Sequence, residues 1–211
     1  MEGYYRLDPP LHIKIKRNIL EKINPGKKKM PNWCNTEVYL KGSKEDIDKI
    51  QKILDNLSER PTSPIKNGFG NLWLGNLVTR LGVYWKDVFC RGYIYEYLRL
   101  NNTTLNLSIE SAWHEPDQVF DIIEKKFKST EIYYRAEEGG LSYYRQYDPE
   151  HKYFNRYVLR SSSGVYETSN NIEDFAKTFP GETIKTKEDI VGIIEDMEEF
   201  EFVDFDEGDS Y

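Results

Sequence analysis

Two short stretches carry the residue types that acid–base chemistry needs. The first is Ser111-Ala112-Trp113-His114-Glu115-Pro116, where a titratable imidazole adjoins a carboxyl at the junction of a strand and a helix. A histidine in that position can exchange a proton near neutral pH. The same residues also form an ordinary helix entry, with Trp113 packing, Glu115 favouring the positive end of the helix dipole and Pro116 fixing the first turn. The second stretch, Glu137-Glu138-Gly139-Gly140, places two carboxyls at a turn after a strand. Neighbouring strand residues point to opposite faces, so a solvated turn competes with a catalytic pair. Metal chemistry has little to work with. His12, His114 and His151 are scattered, Cys34 and Cys90 are 56 residues apart with no CxxC, and His114-Glu115 lacks the second histidine of a zinc-protease helix. No glycine-rich phosphate loop or nucleophile elbow occurs, and no cofactor is expected.

Aromatic side chains give the stronger signal, with 16 Tyr, 10 Phe and 4 Trp. Strand alternation places Tyr93, Tyr95 and Tyr97 on one face. Seven tyrosines fall within residues 133–157, among them Tyr143, Tyr144 and Tyr147, with Arg145 and Arg156 between or beside them. Aromatics interleaved with bases can stack nucleobases and hold phosphates. Against that, residues 131–160 hold five acids and five bases, with no Gly-aromatic RNA-binding motif. Tyrosine serves equally as a core edge or a protein interface.

These residues need elements to position them. Thr36–Lys41 alternates as a strand, and Ser43 caps a helix whose Ile47, Ile50, Leu54 and Leu57 repeat at helical spacing. Residues 71–81 predict a short helix that Gly82 can close. Gly92–Leu100 and Thr103–Ala112 predict a hairpin turning at Asn101-Asn102. A helix with Val119, Phe120, Ile123 and Phe127 on its apolar face follows Pro116, and Glu131–Ala136 predicts a further strand. Leu141–Tyr147 and Tyr153–Leu159 read as another hairpin that extends the sheet. A short helix is expected over 172–179 and a C-terminal helix over Asp189–Met197, capped by Thr186. The order β-α-β-β-α-β predicts an α+β fold with a ferredoxin-like split βαβ antiparallel sheet, two helices on one face and an added hairpin.

The chain has 211 residues and a formal charge of -7. That charge is unevenly spread: residues 1–30 hold eight bases and three acids, whereas residues 188–211 hold eleven acids and no base. The expected organisation is a basic extension over 1–29, a domain over 30–180, and a C-terminal helix with an acidic tail over 181–211. The basic segment, with Ile15, Ile19, Leu20 and Ile23, fits a membrane-surface or nucleic-acid contact, or an arm packed on the body. The tail alternates acids with Phe200, Phe202 and Phe205, which fits an edge strand, a docking segment or a solvating tail. No apolar run spans a membrane and no secretory leader is expected, so the location expected is cytoplasmic, with both thiols free.

Met30-Pro31-Asn32-Trp33-Cys34-Asn35, followed by Val38-Tyr39-Leu40-Lys41-Gly42, resembles the opening of the YubB-type ferredoxin-like proteins of phages, plasmids and other mobile elements. Cys90-Arg91-Gly92, Glu110-Ser111-Ala112-Trp113, Glu137-Glu138-Gly139 and Tyr153-Phe154-x-x-Tyr157 resemble later blocks of that family. The resemblance covers about residues 30–160 and implies the fold and a mobile-element origin, without an activity or catalytic residues to carry over. Together these features lead to a non-enzymatic protein-binding module, acting on a host or defence factor through the Tyr-rich surface. The alternatives are a nucleic-acid binder using Tyr93, Tyr95 or the 143–157 region with Arg145 and Arg156, and a hydrolase or transferase using His114 or Glu137/Glu138, with Trp113 a further candidate site residue beside them.

Overall fold

The computed structural model describes residues 32–139, 143–161, 164–179, 181–195 and 200–205. The basic segment 1–29, the Met30-Pro31 start of the opening motif, Gly140-Leu141, Met197 and the acidic residues beyond Phe205 lie outside them. All described residues belong to one unit that begins at Asn32.

Strand β1 (Trp33–Lys41) buries Cys34, Thr36, Val38 and Leu40 and turns the alternate side chains to the other face. Helix α1 (Lys44–Ser58) starts where the Ser43 side chain accepts from the Asp46 amide, and its Ile47, Ile50, Leu54 and Leu57 are buried. Helix α2 (Leu74–Arg80) ends before Gly82, whose φ of +93° is the left-handed cap that glycine adopts without strain. Strands β2 (Gly92–Asn101) and β3 (Thr104–Ala112) form the expected hairpin, turning at Asn102 and Thr103. Helix α3 (Asp117–Lys126) and strand β4 (Glu131–Glu138) follow.

Strand β5 (Tyr143–Tyr147) completes a five-stranded sheet in the order β2-β3-β1-β4-β5 with antiparallel neighbours throughout. One face of that sheet carries Val38, Leu105, Leu107, Ile109 and Ile132, which share a core with the buried sides of α1, α2 and α3. The other face carries Trp33, Asn35, Glu37 and Tyr39 from β1. Burying these apolar stripes supplies most of the driving force, at about 25 cal/mol per Å².

The second hairpin does not form as the alternation implied. Tyr143–Tyr147 pairs with β4, whereas the next strand, β6 (Tyr157–Ser161), opens a separate three-stranded sheet in the order β7-β6-β8. Its neighbours are β7 (Gly164–Ser169) and β8 (Phe200–Asp204). Residues 148–155 between β5 and β6 are tied into a knot instead. Asp148 accepts from the amides of Tyr153 (2.6 Å) and Phe154 (2.9 Å), and Phe154 is buried.

The Phe-bearing acidic stretch is therefore structural over residues 200–205. Phe202 stacks on Tyr157 with centroids 5.8 Å apart, Phe205 packs on Tyr144 and Val158, and Glu201 pairs with Arg160. Helices α4 (Ile172–Ala176) and α5 (Lys187–Ile194) bury Phe175, Ile190 and Ile194 against Leu159. Thr186 and Asp189 form the expected capping box of α5. The described residues form a mixed α+β fold, with two antiparallel sheets and five α-helices. Among the described residues no helix is long and apolar enough to cross a membrane.

Candidate binding surface

The strand-to-helix turn after β3 is held in an uncommon shape. Trp113 has a φ of +76°, a costly conformation for a bulky side chain. It is fixed by three bonds: the Trp113 amide to Asn32 O (2.8 Å), the His114 amide to Ala112 O (3.0 Å), and the Ser111 hydroxyl to His114 O (2.6 Å). The turn sends Glu115 inward, where it is 1% exposed. There its carboxylate meets Arg145 Nη1 at 2.7 Å and accepts from the hydroxyls of Tyr143 and, at 3.5 Å, Tyr134. Burial and the adjacent Glu115 charge push both phenols well above the usual tyrosine range. This hub ties the entrance of α3 to strands β4 and β5, and two of its four members, Tyr143 and Arg145, were expected as surface binding residues.

The His114 ring stacks on Phe89 at 4.7 Å, and its Nδ1 lies 2.6 Å from the Glu115 carbonyl, a bond that requires the proton on Nδ1. Glu137 and Glu138 point to opposite faces: Glu138 is buried opposite Tyr143, whereas Glu137 lies on the open face opposite Asn35 and Tyr144. The described residues contain no group of three His, Cys, Asp or Glu placed to hold a metal ion. A polar depression of about 530 Å³ between β7 and α4, lined by Glu167, Ser169, Asp174 and Lys177, includes none of the expected site residues.

The tyrosine-rich region is largely internal. Tyr144 packs with Val158 and Phe205, and its hydroxyl is pushed up to about 12, by burial above all. Tyr133 and Tyr153 gather around Tyr39, whose ring stacks on Tyr153 at 4.3 Å. Tyr147 alone of the residues expected on β5 is well exposed, at 49%. Arg156 makes a two-pronged contact with Asp204 (2.6 and 3.1 Å) and lies over the Tyr157 ring. Arg135, Arg145 and Arg160 are likewise paired, with Glu37, Glu115 and Glu201.

Strand β2 departs from simple alternation. A bulge between Ile94 and Glu96 shifts the register, so Tyr93 and Tyr97 face opposite sides of the sheet. Tyr93 is opposite Glu110 on the open face and donates its hydroxyl to that carboxylate. Tyr97 is opposite Leu107 on the helix side and donates to Asp55 of α1 at 2.9 Å. Tyr95, the extra residue of the bulge, is 54% exposed. Beyond it, Leu98 (56%) and Leu100 (47%) are also exposed. Among the described residues β2 is an edge strand, covered by neighbouring chain at its start, where the Ile94 amide donates to Leu72 O. The bulge and the exposed leucines escaped the sequence pattern, because an alternating Tyr-Leu-Arg-Leu run reads the same in a central strand as at an edge.

Comparison with protein-family models, with curated proteins and with solved structures finds no match to this chain.

Proposed function

We propose that this protein is a non-enzymatic protein-binding module that receives its partner along the edge strand β2. One observation carries the reading: Tyr95, Leu98 and Leu100 expose apolar surface along the outer half of a ten-residue edge strand. A sheet edge offers unpaired amide and carbonyl groups to an incoming strand, and proteins that must stay apart blunt such edges with charge. Here Tyr95, Leu98 and Leu100 are exposed apolar or aromatic residues at the edge, with Glu96 the exposed acid among them. Of the residues expected at the surface, Tyr144 is buried and Tyr143 partly so, whereas Tyr95 on β2 is exposed, which supports β2 as the surface.

The same geometry weakens the nucleic-acid alternative. Each arginine expected to hold phosphate, Arg145 and Arg156, is neutralised by a carboxylate of its own fold. The hydrolase alternative gains no support, since Glu137 and Glu138 point to opposite faces and the His114 ring stacks on Phe89.

Two finer readings accompany this one. The strand order β2-β3-β1-β4 supports taking those four strands as a ferredoxin-like split βαβ unit with β5 appended to it. The resemblance of the segment around Trp33-Cys34-Asn35 to YubB-type proteins supports a mobile-element origin, and the free thiols of Cys34 and Cys90 support a reducing, cytoplasmic setting.

The test is affinity capture from the native host, comparing the wild-type chain with a Tyr95→Lys/Leu98→Lys variant by mass spectrometry. Both positions are exposed, so the fold should persist. Loss of a specific partner from the variant supports the reading. Identical partners in both, or retarded single- or double-stranded DNA or RNA at low salt with no protein partner, overturn it.

A further inference from the structure

Among the described residues, four aromatic–carboxylate clusters contain an arginine supplied by the chain itself. Arg135 pairs with Glu37 and lies 5.1 Å from the Phe154 ring centroid; Arg145 pairs with Glu115, 5.9 Å from Tyr134. Arg156 pairs with Asp204 at 5.0 Å from Tyr157, and Arg160 with Glu201 at 5.4 Å from Tyr144. The arrangement is sound chemistry, because a guanidinium gains from both the ring face and the carboxylate.

A fifth cluster has the same acceptors. On the open sheet face, Phe69 meets Trp33 edge-on (centroids 6.0 Å apart) and is stacked with Tyr93 (6.1 Å). The strand register sets Tyr93 beside Glu110, Glu110 beside Asn35, and Asn35 beside Glu137, which makes one row across β2, β3, β1 and β4. Asn35 in the middle of the row is exposed, and the three rings are half-buried. Among the described residues, no basic side chain lies over these rings or within ion-pair distance of Glu110 or Glu137. Arg135, two residues from Glu137 on β4, is bound to Glu37 at 3.0 Å, and Arg160, over the Tyr144 ring opposite Glu137, is bound to Glu201.

We propose that this row, Trp33, Phe69 and Tyr93 with Glu110 and Glu137, binds a lysine or arginine side chain presented by a partner protein. The inference rests on the protein-binding reading and adds the chemistry of the partner: a basic segment, whose cation completes the fifth cluster as the chain's own arginines complete the other four. The surface is separate from the Tyr95–Leu100 edge, although Tyr93 lies on the same strand.

The test uses the full chain, ¹⁵N-labelled, titrated at about 50 mM salt so that screening is modest. The probes are the peptide acetyl-Gly-Ser-Arg-Ser-Arg-Ser-Gly-amide, its lysine analogue, and a citrulline analogue of equal shape without charge. Saturable shifts are expected at the Trp33 indole and at amides of 33–37, 108–111 and 135–138, with the arginine and lysine peptides and not with citrulline. Phe69→Leu and Glu137→Gln should each weaken binding about two- to fivefold, the size of one exposed cation–π or ion-pair contact. Equal binding of the citrulline peptide, shifts confined to the acidic residues after 188, or unchanged affinity in both variants would overturn the proposal. The Leu98→Lys variant should bind the peptides as the wild type does. Capture that depends on the edge, with no peptide binding, removes this inference and leaves the protein-binding reading standing.

Discussion

Replacing Glu115 by alanine should be among the most damaging single changes in the protein. Its carboxylate is 1% exposed and serves three partners, Arg145, Tyr143 and Tyr134. Removing one member of a buried ion pair costs about 3–5 kcal/mol, because the other charge is left uncompensated. Arg145 keeps a 32% exposed side chain and can recover some hydration, which pulls its share toward the low end. The two phenols lose a charged acceptor in a buried setting, which adds about 1–3 kcal/mol. A total near 4 kcal/mol is expected for Glu115→Ala, and about 1–2 kcal/mol for Glu115→Gln, which keeps the volume and one acceptor oxygen. At 2–4 °C per kcal/mol for a protein of this size, the alanine variant should melt about 10 °C lower. The assay is urea unfolding followed by tryptophan fluorescence and circular dichroism, with Arg145→Met and the double variant completing a cycle. The double variant should be no less stable than Glu115→Ala, since the stranded guanidinium is then gone. A Glu115→Ala cost below 1 kcal/mol, or fully additive losses, would refute the hub.

Three further outcomes follow from particular contacts. Burial first, opposed by a hydrogen bond with Thr36, pushes the Cys34 thiol up to about 12, and burial also raises Cys90; neither should react with a disulfide reagent at pH 8 until the protein unfolds, and labelling at the rate of a free thiol would contradict this. Gly92→Ala should cost about 2–3 kcal/mol in urea unfolding, because a Cβ there would collide with the Glu110 carbonyl oxygen and lie 2.8 Å from Ser111 Cα, both in the paired strand. Burial works against the Asp204 carboxylate, but hydrogen bonds from Arg156 and Lys187 outweigh it and hold the group below its ordinary 3.8; the stability it lends β8 is therefore complete above that value and lost as pH falls through the lowered one. Amide exchange in β8 should accelerate in that acid window, and Asp204→Asn should remove that pH dependence.

Much of the first sheet was legible in the sequence because its signals are local. Ser43 with Asp46, the apolar repeat from Ile47 to Leu57, and the hairpin of β2 and β3 each announce themselves within a dozen residues. The partner of a strand is a long-range property, and there the pattern misled. Tyr143–Tyr147 and Tyr157–Ser161 alternate like two arms of a hairpin, yet they belong to different sheets, and β6 finds β8 some forty residues downstream. The concentration of tyrosines was legible and core packing was one of its readings, but which rings would be buried was not, because the rings they pack against, Phe205 and Tyr39, come from distant segments. Glu115 looked like a helix-entry acid. Only the left-handed turn at Trp113 reveals it as the centre of a buried network.

The central claim, that a partner protein adds to the β2 edge, is tested most directly by backbone amide exchange of the captured complex against the free chain. Protection should rise within residues 95–101, and Leu98→Lys should abolish it together with binding. Protection confined to other segments, with β2 amides exchanging as in the free protein, would contradict the account.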